Sequence, residues 1–301
     1  VITTANAVAH AGAKPWLFDI DKDTLNLNLN LVEDALKKEC VFRDKHFYHK
    51  RTNQKIAAIM PVFCLGSLID FEDIKNFRNK FSIPMVLDSA AALGSTYEDM
   101  GLGASSADVS VLSFNGNKTF TTGGGGAVLT NNEVLYEKIN HISTTARVGK
   151  DYLHDEVGFN YRMTNLQAAV GIAQLDRFKE FVEKKRYIQN YYKDNILLTD
   201  ISYKQSDTKK IKNVRWLSHI YLSKVSKIQP KDVFLALEKS KIESRTFWIP
   251  MHKQLPYQKS LANLDGTAEE IYTNLIILPS STNLDSDKLE RVTTSLNSLS
   301  N

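Results

Sequence analysis

Cysteine is scarce in this 301-residue chain, which carries Cys40 and Cys64 and no others. Two cysteines make no disulfide framework, and neither has His or Cys neighbours at metal-ligand spacing, so no metal site is suggested and a reducing, cytoplasmic setting is expected. Long apolar runs are also missing, and the opening Val1-Ile-Thr-Thr-Ala-Asn-Ala-Val8 lacks the basic segment of a signal peptide, so no membrane partner is expected. An excess of one charge is missing as well. Thirty-eight Lys and Arg are interspersed with 34 Asp and Glu, a net +4 that gives no argument for a nucleic-acid partner. The densest basic stretch, Arg43 to Arg51, mixes cations with aromatics and reads as a solvated loop. There is no internal repeat or low-complexity tract, and the chain begins without methionine, in mid-pattern.

What is present is an ordinary globular composition, 43% hydrophobic, long enough for one large domain and a smaller one. The first half alternates strand-like and helix-like segments, the pattern of an α/β fold with a mainly parallel central sheet and helices on both faces. Short buried strands are predicted at Trp16–Ile20, Ile56–Val62, Pro84–Leu87, Val109–Phe114 and Ala127–Thr130. Helices are predicted at Asn30–Cys40 and at Asp70–Phe81, where Asp70 is a suitable N-cap and Asp73 echoes a capping box. From Thr164, another suitable cap, apolar residues at helical spacing predict one long helix to about Lys193 that leaves the first domain. A strand at Ser218–Leu222, a helix at Lys231–Lys239 and a last helix from Asp285 predict a smaller C-terminal α+β domain. The division is placed at 1–180 and 181–301.

The candidate chemical group is Lys118, in Ser113-Phe-Asn-Gly-Asn-Lys118 followed by Thr121-Thr-Gly-Gly-Gly-Gly126. A buried strand delivers the chain to this point, and four glycines let the backbone turn where side chains would obstruct it. A lysine in such a cleft is partly desolvated, which lowers its pKa and suits it to act as an amine nucleophile. The glycines follow the lysine, the reverse of a phosphate-binding P-loop, so nucleotide hydrolysis is not expected. Gly101-Leu-Gly103 lacks the third glycine of a dinucleotide fingerprint and reads as a turn. Asp88 and Lys118 both follow strands, so both can lie at the carboxyl end of a sheet, where open α/β folds place ligands.

These segments, with Asp88-Ser-Ala-Ala-Ala-Leu-Gly94 and Glu156-Val-Gly-Phe-Asn-Tyr-Arg-Met163, resemble the DegT/DnrJ/EryC1/StrS family of sugar aminotransferases. Thr4-Ala-Asn-Ala-Val8, Phe18-Asp-Ile-Asp21, Pro250-Met-His252-Lys-Gln254 and Leu278-Pro-Ser-Ser-Thr282 recur in family order, so the resemblance covers nearly the whole chain. The wording around Lys118 and the insertion at Val41–Asn53 most resemble its LegC-like branch. The resemblance implies a fold type I enzyme dependent on pyridoxal 5′-phosphate, transferring an amino group, from glutamate, to a nucleotide-linked 4-keto-6-deoxy sugar for surface polysaccharide or glycan. It implies that Lys118 joins the cofactor aldehyde and moves the substrate proton, and that Asp88 keeps the pyridine nitrogen protonated. It implies that Ser113 binds the cofactor phosphate, that Asn160 reaches the neighbour's phosphate in a homodimer with shared active sites, and that His252 lies near the nucleotide sugar. Arg162 is open between an anion contact and a structural ion pair.

The resemblance also implies an upstream Ser-Gly-Thr-type turn that grips the phosphate and would lie before Val1, so that the chain is expected to be N-terminally truncated. Val1 stands where the family commonly has an aromatic that stacks on the pyridine, and Ala91 where it commonly has a polar residue near the phenolic oxygen. The rival expectation from these departures is a truncated, non-catalytic relative acting as an interaction or scaffold subunit. A pyridoxal-dependent dehydratase is disfavoured, because those relatives replace the lysine with histidine.

Overall fold

The computed structural model describes residues 2–300; Val1, with its stacking position, lies outside the described residues. In chain order the elements are α1 Thr3–His10, β1 Trp16–Phe18, α2 Leu29–Glu39, β2 Cys40–Arg43, β3 His46–His49, α3 Phe71–Phe81, β4 Val86–Asp88, β5 Thr96–Tyr97, β6 Val109–Ser113 and β7 Gly126–Leu129. There follow α4 Glu133–Ser143, β8 Arg147–Val148, β9 Leu153–His154, α5 Asn165–Asp176, α6 Phe178–Asn195, β10 Ile201–Ser202, β11 Ile211–Lys212 and β12 His219–Leu222. The chain closes with α7 Pro230–Lys239, β13 Arg245–Thr246, β14 Leu261–Asn263, α8 Thr267–Asn274, β15 Leu275–Ile277 and α9 Ser286–Asn297.

The helix α3 shows how local sequence sets an element. The Asp70 side chain accepts from the amide of Glu72, satisfying one free N–H of the first turn. Phe71, Ile74, Phe77 and Phe81 are buried on one face, and Ser82 stops the helix in the left-handed region at φ 53°. The sheet beneath it is parallel between β4 and β6 and antiparallel between β6 and β7, with Ser113 opposite Gly126. The predicted strand at 56–62 is reduced to two parallel bridges, Ile59 with Met85 and Val62 with Asp88. Pro61 lies between them and has no N–H to give to a ladder.

A second core lies beyond residue 187. The sheet β10-β12-β15-β13 is antiparallel, and Ile220, Leu222 and Ile276 meet Ile188 and Tyr192 of α6, Val233 and Leu237 of α7, and Leu289, Val292 and Leu296 of α9. A third cluster, including Leu65, Val182, Val214, Trp216, Tyr221 and Phe247, joins the two halves of the chain, as do the β1–β14 and β5–β11 pairings.

Two sequence readings are corrected. The long helix from Thr164 breaks at Arg177, whose ψ of 3° leaves the helical region, so α5 and α6 are separate. Thr164 does form a capping box with Gln167, but Leu166, Val170 and Leu175 of α5, whose helical spacing predicts the helix, are exposed. The stretch Arg43–Arg51 is likewise no solvated loop but the hairpin β2–β3, turned by Asp44 and Lys45 at φ 48° and 63°. Phe47 packs between Phe42 and Phe81, and the Arg43 guanidinium lies 4.1 Å from the centre of the Tyr48 ring.

Candidate active site

Asp88 ends β4 and is fixed on both sides of its peptide: its N–H donates to Pro61 O and its carbonyl accepts from Phe63 N, each at 2.9 Å. One carboxylate oxygen accepts from the Thr4 hydroxyl at 2.5 Å and the other from the Ala90 amide at 3.1 Å. The Thr4 contact is supplied by α1, a helix absent from the sequence prediction. Next to the carboxylate, burial pushes the Cys64 thiol up to about 12, and the charge of Asp88 adds to it.

The strand β6 leads from Ser113 into a loop that closes on itself. Phe114 N donates to Gly125 O, its carbonyl accepts from the Thr122 amide and the Thr121 hydroxyl, and Lys118 N donates to Asn115 O. The buried Phe120 anchors the loop against Phe114 and Phe178. Two of the four glycines have specific tasks. Gly125 turns at φ +86°, and a Cβ on Gly126 would stand 2.3 Å from Leu112 O across the β6–β7 ladder.

The loop carries Lys118 inward to a half-buried position, where its Nζ lies 3.8 Å from the centre of the Trp216 ring. Burial holds the ammonium below its ordinary lysine pKa, and Asp88 pulls in the opposite sense. The structure therefore brings Lys118, Asp88 and Ser113 to one end of the β4–β6 pair within a single chain. Ser113 Oγ accepts from the Asn115 amide at 3.3 Å. The hydroxyls of Ser89 and Thr119, which directly follow Asp88 and Lys118, are buried without a protein partner. A carboxylate, an amine of lowered proton affinity, a strand-end hydroxyl and orphaned polar atoms beside them form a donor set that fits pyridoxal phosphate.

Asn160 is not part of this group. It pairs with Thr144 and lines a basin of about 640 Å³ with Thr144, Thr145, Arg147, Gly149, Lys150 and Arg162. Arg162 donates to Asn140 Oδ1 and, among the described residues, forms no ion pair. His252 is three-quarters or more enclosed and meets Glu269 at 2.9 Å, while Tyr257 of the same loop donates to Asn6 on α1, the helix that holds Asp88. Ala91 is half-buried beside the third cluster, its carbonyl 2.8 Å from where a Cβ on Gly66 would stand. The sequence reading missed Thr4 as the partner of Asp88 and Trp216 as the partner of Lys118. Thr4 lies within the segment Thr4–Val8 that carries the family resemblance; only the rarity of tryptophan marked Trp216.

The arrangement sets a half-buried lysine and a carboxylate at the strand ends of an α/β fold. The chain matches the DegT/DnrJ/EryC1/StrS aminotransferase family over residues 1–297 and belongs to it, a family of pyridoxal phosphate-dependent enzymes. It is 31% identical over 297 residues to the GDP-perosamine synthase of Caulobacter vibrioides, covering 98% of this chain and 76% of that protein. It is 31% identical over 284 residues to the UDP-4-amino-4,6-dideoxy-N-acetyl-β-L-altrosamine transaminase of Campylobacter jejuni, covering 92% and 70%. A DegT/DnrJ/EryC1/StrS aminotransferase structure from Brucella abortus superposes with a TM-score of 0.88 at 20% identity, over 99% of this chain and 77% of that one, which establishes the fold type I architecture.

Proposed function

We propose that this chain is a pyridoxal phosphate-dependent aminotransferase that moves an amino group from glutamate to a nucleotide-linked 4-keto-6-deoxy sugar. The observation that carries the reading is Lys118, an amine of lowered proton affinity held within reach of the charge of Asp88. The relatives named for GDP- and UDP-linked amino sugars support the substrate class. When bound, pyridoxal phosphate supplies an aldehyde that carries the amino group and a ring that accepts electrons.

Each residue then has a task. Lys118 anchors the cofactor and carries the proton at the reacting carbon, for which a lysine whose pKa is lowered by burial is better matched than a solvated one. Asp88, oriented by Thr4, holds the pyridine nitrogen protonated, and Ser113 donates to the phosphate. Asn160 serves the site of a second copy in a homodimer, a reading supported by the exposed apolar residues around it. The cations Arg147, Lys150 and Arg162 in its basin suit the diphosphate of a nucleotide sugar or the carboxylates of glutamate. His252 contributes to the sugar end of the pocket. The second core beyond residue 187 supports dividing the chain at 1–180 and 181–301. No helix among the described residues is long and apolar enough to cross a membrane.

The test supplies the protein with pyridoxal phosphate, ¹⁵N-glutamate and GDP- or UDP-linked 4-keto-6-deoxy sugars, and follows the sugar by mass spectrometry. The expected result is a donor-dependent ¹⁵N-amino sugar; label recovered in no sugar nucleotide defeats the reading.

A further inference from the structure

Trp216 grips the lysine segment twice. Its ring face lies 3.8 Å from Lys118 Nζ, and its indole N–H donates at 2.7 Å to the carbonyl of Asn117, one residue before. The indole itself is held: it is 4% exposed, stacks on Trp248 at 6.0 Å, and its backbone donates to Leu65 O and accepts from Lys185 Nζ. A ring face attracts an ammonium and not a neutral amine, so this contact favours the charged lysine while burial favours the neutral one. We propose that Trp216 is a positioning residue: its ring is the seat that receives the ammonium of Lys118 whenever the lysine is free of the cofactor, and its N–H fixes the backbone from which the lysine reaches the reacting carbon. The proposal rests on the reading of Lys118 given above and gives it a defined place to stand between proton transfers.

Other charges face this contact. Asp88 faces the amine from β4, Lys185 donates to the Trp216 carbonyl, and Arg215 beside it in the chain is paired with Asp207. The test must therefore separate Lys118 from Lys185. The three tryptophans are replaced by 5-fluorotryptophan in the cofactor-free 301-residue protein, and the Trp216 resonance is assigned by elimination with Trp16→Phe and Trp248→Phe. The expected result is a shift of that ¹⁹F resonance with pH, in one step with a midpoint below the ordinary lysine pKa. The step is lost in Lys118→Arg, whose guanidinium stays charged throughout, and in Lys118→Met. A resonance that does not titrate, or a step that survives both substitutions and so belongs to Lys185, overturns the proposal. Uptake of pyridoxal phosphate by the unlabelled protein, read from absorbance, tests the underlying reading separately.

Discussion

The loop 114–125 and the segment 144–162 carry two of the expected site residues, and they are built in opposite ways. The lysine loop is closed by its own backbone bonds, anchored by buried Phe120 and capped by Trp216. The other segment leaves Tyr152 87%, Val157 92% and Tyr161 75% exposed, with Leu166 of α5 following at 82%. So much apolar surface in one stretch is unusual for a lone chain and marks an interaction site. On the proposed function, one protomer holds the lysine side of the site firmly, and the Asn160 side would take its place through a second copy.

The comparison can be broken or sharpened at several points. On the proposed role of Asp88, Asp88→Asn removes the acid that would keep the cofactor ring protonated and is expected to lower kcat about 10²- to 10⁴-fold, measured in steady-state transamination, with the fold intact by circular dichroism. Phe120→Ala is expected to cost about 3–5 kcal/mol in urea unfolding, because it empties the anchor of the lysine loop, whereas Val157→Ser changes chain stability by less than about 0.5 kcal/mol and weakens self-association. Equal effects on stability would remove the contrast between the two regions.

Lys185 provides a pH test of the rigid side. It is buried, donates to the carbonyls of Trp216 and Ser280, and burial brings its pKa from 10.5 to about 8. The unfolded chain therefore holds a proton between pH 8 and 10.5 that the folded chain has released, and stability rises with pH across this window. Lys185→Met is expected to lose this rise, worth roughly 3 kcal/mol, when wild type and variant are unfolded at both ends of the window. The smallest effect is read by mixing. Neither Lys118→Ala nor Asn160→Ala should transaminate well alone, but subunits of the two exchanged in equal amounts should restore activity at about a quarter of the sites, those pairing an intact lysine with an intact asparagine. Mixing that restores nothing would place Asn160 and Lys118 of one chain in the same site.

Local chemistry made much of this legible. The caps at Asp70 and Thr164, the strand ending at Asp88 and the glycine-relieved turn after Lys118 are short-range features that residue type dictates. Four things were not. The exposure of Leu166 and Leu175 on α5 escaped because helical periodicity reports an apolar face without saying whether its partner is in the same chain. The break at Arg177 escaped because no Gly or Pro marks it. Trp216 escaped because it lies 98 residues from Lys118, and a contact between a loop and the joining cluster leaves no spacing pattern. The basic hairpin at 40–49 escaped because its strands are short and turn through Asp44-Lys45 instead of a glycine.

The most direct test of the central claim, that Lys118 is the residue to which pyridoxal phosphate becomes joined, is the visible absorption spectrum of the protein mixed with the cofactor and then freed of excess. The wild-type chain is expected to retain a band above the protein's own absorbance that Lys118→Ala lacks. The same band in both proteins, or none in either, would contradict the claim.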